Sequence, residues 1–190
     1  MIVLGIDPGT AVTGYGVVEA PDGYLAIGRV AENGHGAPRL LAKGASGAPR
    51  LIECGVIRTP SDAPLPRRLM DIFDGVTELI ARHRPDALAV EDVFYARNVR
   101  TTLVLGHARG VVLLAGERAG IVVSEYAPAK IKKTVVGRGS ATKEQVQFMV
   151  ARLLRLKSTP RPADAADGVA CALTHVMSAG LARLRVRAAG

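Results

Sequence analysis

Near its C-terminal end the chain reads "RPADAADGVACALTH", with Asp164 and Asp167 three residues apart among alanines. On a helix, residues three apart differ by about 60° around the axis and about 4.5 Å along it, so both carboxylates can point at one spot. The commoner role for acids at a helix start is capping: they satisfy free N–H groups and complement the helix dipole. Pro162 just upstream suits such a start. The other role is chemical, because a cap does not need a second acid on the same face. Two further acids close apolar runs, Asp7 after "MIVLGI" and Glu91 after "ALAV". Four carboxylates drawn to one point suit hard cations such as Mg²⁺ or Mn²⁺, and without cations they would repel one another strongly. Two such ions about 4 Å apart would use all four acids, one activating water and one stabilising the leaving oxygen of a phosphodiester.

Other residues with chemical potential are weaker. His175 lies about 16 Å up the helix from Asp164 by rise, too far to join it as a ligand, and reads as a packing or surface histidine. His83 and His107 show no ligand spacing. Lys130, Lys132, Lys133, Arg138 and Lys143 crowd the segment around "VVGRGS", which is either a solvated basic face or a phosphate-binding surface. Phe94 and Tyr95, in "VFYARN", directly follow the Glu91 strand in a chain with three Phe, four Tyr and no Trp. They are either packed or poised to stack on unpaired bases. The terminal Arg183, Arg185 and Arg187 form a basic tail at about 183–190 that is either non-specific or merely solvated.

The elements that must position these residues follow from pattern and punctuation. Residues 2–6, 13–20 and 24–31 read as three strands of an antiparallel meander, separated by "DPG" and "PDG" turns. "GAPRL" occurs twice, at 36–40 and 47–51, and the Gly, Ala and Pro around it suggest a loop insertion at about 32–50. A strand at 51–58 resumes the sheet. Helical spacing over 65–85 precedes a buried strand at 87–92, a second long helix at 100–120 and a strand at 121–126. Gly106 and Gly110 lie on one face of that second helix and would allow close helix contact. A short helix begins at Pro128, "TKEQ" is a capping box opening a helix from Thr142 to about Leu156, and a last helix runs from about Ala163 to Arg185. Alternating strands and helices imply parallel pairing in the second half, hence a mixed α/β sheet in a single domain over 1–190. Ligand sites in such sheets lie beyond the carboxyl ends of parallel strands, where Asp7 and Glu91 would meet.

Bulk properties narrow the class. The 190 residues are 48% hydrophobic, with a formal net charge of +8. That balance favours a globular domain with a polyanionic partner, most often nucleic acid. No apolar run is long enough for a membrane helix, and the N-terminus lacks a signal-peptide pattern. Cys54 and Cys171 show no metal-ligand spacing and read as free thiols in a reducing, cytoplasmic setting.

Five blocks in order resemble the RuvC family of Holliday-junction resolvases, in the ribonuclease-H-like/retroviral-integrase superfamily. They are "LGIDPGTAVTGYGVV" at 4–18, "AVEDVFYARN" at 89–98, "LGHARGV" at 105–111, "KKTVVGRGSATKEQVQ" at 132–147 and "ADAADGVACALTH" at 163–175. The resemblance implies a mixed five-stranded sheet flanked by helices and a metal-binding quartet of Asp7, Glu91, Asp164 and Asp167. It implies functional lysines at Lys132 and Lys143, and Phe94 as a wedge or stacking residue. Tyr95, Arg97, Asn98, Arg100, Lys130, Lys133 and Arg138 would add DNA contacts. It further implies a homodimer, joined through about Arg100–Glu117, that nicks opposing strands of a four-way junction with Mg²⁺ or Mn²⁺. The products would carry 5′-phosphate and 3′-hydroxyl ends, and a RuvA–RuvB branch-migration complex would be the partner. Two positions depart from the family pattern: Asp92 stands where a neutral Gln is frequent, and Gly168 where Ala is common. By strand alternation Asp92 faces away from Glu91.

Three other readings compete. "GIDPGT" resembles the first phosphate loop of actin/Hsp70-like ATPases, but the second acidic loop and adenosine motif of that class are missing. A non-catalytic DNA-binding dimer is disfavoured by the intact quartet. A YqgF-like RNA-processing nuclease would share the acids but not the "FYARN" and "TVVG" blocks.

Overall fold

Parity along the strands decides which side of the sheet each residue serves. The computed structural model describes residues 1–21, 26–29, 39–42, 47–92 and 99–188. Strands β1 (Ile2–Asp7), β2 (Val12–Glu19), β5 (Arg50–Arg58), β6 (Ala87–Glu91) and β7 (Val122–Tyr126) form one sheet of order β5-β2-β1-β6-β7. The β5-β2-β1 pairs are antiparallel and the β1-β6-β7 pairs parallel. Helices α1 (Leu65–His83) and α2 (Val99–Arg118) cover one face. Helices α3 (Pro128–Val136), α4 (Lys143–Leu153) and α5 (Ala163–Ala188) cover the other. Leu4, Ile6, Val17, Leu88 and Val90 pack toward α1 and α2, whereas Val3, Val18 and Ala89 pack toward α3, α4 and α5. A period of two therefore sends Asp7 and Glu91 to the α5 side. In the parallel β1–β6 register Ile6 stands beside Val90, which leaves the two acids adjacent at the strand ends.

Helix α5 comes unusually close to β1 and β2, because glycines face it. A Cβ on Gly5 would lie 2.2 Å from the Gly168 carbonyl oxygen, and one on Gly14 would lie 1.9 Å from that of Asp164. Gly16 abuts Val169 in the same way. Gly168 answers from the helix, where a Cβ would meet the Tyr15 backbone at 2.6 Å. Gly168 is thus explained by packing: what it costs in helix propensity it returns as close approach.

The third expected strand is corrected. Residues Ala26–Arg29 form β3, which pairs with β4 (Arg39–Ala42) in a separate two-stranded sheet rather than extending the meander. The long strand β5 occupies the β2 edge instead. The stretch read as a loop at 32–50 therefore contains a strand, and β5 begins within its last residue. Helix α4 stops at Leu153, short of Leu156. Its capping box at Thr142 and Gln145 is present as expected. Its end is a Schellman turn, in which Leu156 N–H donates to the Ala151 carbonyl and Arg155 N–H to that of Arg152. Arg155 takes the left-handed conformation there, φ 54°, which costs a residue other than glycine about 1–2 kcal/mol. Cys54 and Cys171 are free thiols. Among the described residues, no helix is long and apolar enough to cross a membrane.

The seating of α5 gives the first prediction. Gly5→Ala places a methyl group against backbone that cannot yield, so it should cost about 2–3 kcal/mol. A thermal melt should fall by several degrees, and an unchanged melt would mean that α5 is not held by this contact.

Candidate active site

Asp7 leaves the sheet at the end of its central strand, where the chain turns through Pro8 and Gly9. That turn is braced from three sides. The Thr13 hydroxyl donates to the Gly9 carbonyl at 2.7 Å, the Thr59 hydroxyl donates to that of Thr10, and Arg68 Nε donates to the same Thr10 carbonyl at 2.9 Å. Helix α5 starts directly beside the turn, and its first two turns present Asp164 and Asp167. Oxygens of Asp7, Asp164 and Asp167 lie within 4.8 Å of one another. The aspartate pair is therefore more than a cap. Glu91 stands just outside this triangle but lines the same cleft of about 250 Å³ as Asp7, Asp167, Lys132 and Lys143.

Burial first, and mutual repulsion after it, sets the electrostatics of the acids. Burial, with Asp167 and Asp164 adding, raises the Asp7 pKa to about 7, against the pull of Lys143. Burial, then Asp7 and Asp167, raises Glu91 to about 8, opposed by Lys132 and Lys143. Asp167 is also raised, chiefly by burial, although Lys143 holds it down. The Lys143 ammonium sits 2.6 Å from Asp167 Oδ2, and this bond raises the lysine pKa. A cluster of carboxylate oxygens alone fits the donor set of a hard divalent cation.

Other expected residues fall into three groups. Lys130, Lys133 and Arg138 are exposed on and just after α3, and Arg100 is exposed at the start of α2. Phe94, Tyr95, Arg97 and Asn98 lie outside the described residues. His175 is buried and its Nδ1 lies 3.0 Å from the Tyr126 hydroxyl, in keeping with the packing role. Gly106 and Gly110 face open space: nothing outside the helix's own backbone comes within 4 Å of a Cβ at either position, so no other helix of the described chain uses the close contact they allow.

One functional arrangement escaped the sequence reading. Asp92 and Glu125 both point to the α2 face, and Arg109 of α2 meets them. Its Nε is 3.3 Å from Asp92 Oδ1 and its Nη2 contacts Glu125 Oε2. Strand parity put Asp92 on this face; the missing step was to ask which cation on α2 would answer it. This ion pair ties α2 to the end of the strand that carries Glu91.

A mixed sheet of this order, with acids from its central strand, the neighbouring parallel strand and a crossing helix, defines a ribonuclease-H-like nuclease fold. Comparison with known proteins narrows it. Residues 39–175 match the family model "Crossover junction endodeoxyribonuclease RuvC". The RuvC of Desulforamulus reducens is 43% identical over 176 residues, covering 92% of this chain and 93% of that protein. The Thermus thermophilus RuvC structure superposes with a TM-score of 0.76 at 36% identity, covering 96% of this chain and 97% of that one. A second structure, T. thermophilus RuvC in complex with Holliday junction substrate, gives a TM-score of 0.75 at 34% identity, over 95% and 96% of the two chains. The chain belongs to the RuvC family of crossover junction endodeoxyribonucleases. Membership sets aside the ATPase reading of the first loop.

The raised carboxylates set a pH dependence. Folded Asp7 and Glu91 hold protons more tightly than the unfolded chain does, so each favours folding at low pH. That stability is lost as pH rises from the ordinary carboxylate range toward about 7 for Asp7 and about 8 for Glu91. In chelator, the melting temperature should fall over this window. Asp7→Asn should flatten the fall and melt above the parent at the alkaline end. Parallel pH curves for the two proteins would remove the buried charge from Asp7.

Proposed function

We propose that this chain resolves four-way DNA junctions by hydrolysing one phosphodiester in each of two opposing strands, in recombination and repair. The observation that carries the reading is the convergence of Asp7, Asp164 and Asp167, with Glu91 beside them, on a cleft edged by Lys132 and Lys143. Membership of the RuvC family and the junction complex of a T. thermophilus relative support the choice of substrate.

Asp7, Glu91, Asp164 and Asp167 would hold Mg²⁺ or Mn²⁺, with two ions the number that four acids suit. Such ions supply Lewis-acid charge at the reacting phosphate. The protein's own residues do the rest. Asp7 and Glu91, fixed on adjacent parallel strands, set one wall of the site, and the first turns of α5 set the other. Lys143 neutralises Asp167 and stands ready to meet the charge that builds on phosphate oxygens in the transition state. Lys132 lines the cleft near Glu91 and holds the substrate phosphate by charge. Water adds to phosphorus, the 3′-oxygen leaves with a proton, and the products are a 5′-phosphate and a 3′-hydroxyl. Phe94, with Tyr95, Arg97, Asn98 and Arg100, would follow Glu91 onto the DNA; Lys130, Lys133 and Arg138 would face its backbone.

A homodimer is part of this reading, since two nicks need two sites. Helix α2 is apolar on both sides: Ala108, Val112 and Ala115 are buried inward, while Leu103 and Leu114 are 61% and 52% exposed. Leu69, Leu103, Gly106, Gly110, Val111 and Leu114 line an open groove of about 510 Å³ on that outer side. The groove accepts the same helix of a second copy. A cytoplasmic setting and a RuvA–RuvB partner complete the proposal by family resemblance.

The deciding experiment incubates purified protein with a synthetic four-way junction and Mg²⁺ or Mn²⁺, and maps the nicks. Symmetric nicks with ligatable ends are expected. Asp7→Asn should abolish nicking and retain junction binding, and Lys132→Ala should slow nicking; normal cleavage by Asp7→Asn would overturn the site. The paired change Leu103→Lys and Leu114→Lys should shift sedimentation from dimer to monomer and end paired nicking, whereas an unaltered dimer would place the interface elsewhere.

A further inference from the structure

We infer that the basic run from Arg152 to Arg161 is a track for the phosphate backbone of a duplex DNA arm leaving the active site. Three observations carry it. First, no Asp or Glu lies between Glu144 and Asp164, while Arg152, Arg155, Lys157 and Arg161 are all exposed. Several surface cations elsewhere are answered by acids: Arg50 pairs with Glu19, Arg67 with Asp71, Arg82 with Glu78 and Glu53, and Arg109 with Asp92 and Glu125. Arg155, Lys157 and Arg161 have no acidic partner among the described residues.

Second, the run has the right place. Helix α4 begins at Lys143, on Asp167, and its 11 residues carry the chain about 16 Å away. Residues 154–162 then return to α5 one residue before Asp164. Positive charge thus lies along a path between the far end of α4 and the acids. A duplex rises about 3.4 Å per base pair, so this path matches about five base pairs of one arm. Third, Arg152 rests over the ring of Phe148, its guanidinium carbon 5.8 Å from the centroid, and Phe148 is itself 56% exposed. The ring holds that charge outward without neutralising it. A line of separated cations with no apolar pocket between them fits a linear polyanion better than a folded protein.

Arg155 makes the inference testable against a structural role. It occupies the left-handed position that glycine would fill at less cost. Arg84 closes α1 in the same conformation and is also exposed, so neither the backbone nor a single cation marks a site; the grouping of four exposed cations in a stretch without an acid does.

The identity of the DNA as a junction arm rests on the proposed function, but the track itself should bind any duplex. The experiment therefore measures affinity against salt for the full chain on a four-way junction and on linear duplex. The protein carrying Arg155→Gln, Lys157→Gln and Arg161→Gln is compared with the parent. The slope of log affinity against log salt should become less negative by about 0.9 for each lost contact, and affinity should fall on both substrates. On a junction whose first five linkages beyond the crossover are uncharged methylphosphonates, the variant and parent should bind alike. An unchanged slope, or an equal loss on the methylphosphonate junction, would overturn the track. Arg155→Gly alone should weaken binding while the melting temperature holds or rises; a lower melt with unchanged slope would make Arg155 structural. If the parent shows no preference for the junction, the junction reading falls, and the linear-duplex slopes still decide the track.

Discussion

The site depends on how near a helix can come to a sheet. Asp164 and Asp167 reach Asp7 only because α5 rides on β1 and β2 with backbone touching backbone. Gly5, Gly14, Gly16 and Gly168 clear that contact, and any side chain among them would lift the helix by ångströms. Carboxylate oxygens gathered within 4.8 Å tolerate no such shift if they are to share a cation with bonds of about 2 Å. The glycines do not touch the chemistry, yet they set its geometry, because close packing transmits displacement with little loss.

Holding the acids so near has an electrostatic cost, and the fold meets it in two ways. Protons are retained on Asp7 and Glu91 well above the ordinary carboxylate range, and Lys143 bonds Asp167 directly. Both devices are reversible. A divalent cation displaces protons from carboxylates, and an exposed lysine can swing from an acid to a phosphate. The acids are thus balanced by groups that ions and DNA would displace under the proposed function. Stability is spent where function needs charge, with the apolar clusters on both sheet faces supplying the reserve.

Much of this was legible in the sequence, and the physical reason is periodicity. A period of two along "IVLGID" and "ALAVE" sends both terminal acids to one face, and a spacing of three along α5 turns two aspartates toward them. Long, strongly patterned elements were found with boundaries close to those observed. What failed was short-range pairing. Nothing in "AIGR" or "RLLA" says that they choose each other over the β2 edge, because that choice depends on a competitor, β5, with twice the length. Gly106 and Gly110 were correctly placed on one face, but periodicity cannot say whether a face meets its own chain or another. The Arg109 ion pair was missed for a similar reason. It joins three consecutive elements, β6, α2 and β7, and the parallel β6–β7 register brings Asp92 near Glu125.

That ion pair also bears on how the two faces of the sheet divide their work. The α5 face holds the acids, and the α1–α2 face is packing and an open apolar groove. Arg109 is where the two meet, since Asp92 follows Glu91 without an intervening residue. A shift of α2 along its axis would pull on Asp92 through a charged contact and so on the backbone of Glu91. Glu91 is the one acid of the four outside the tight triangle. If a second copy seats on the groove of α2, it meets the same helix whose Arg109 holds the end of the Glu91 strand.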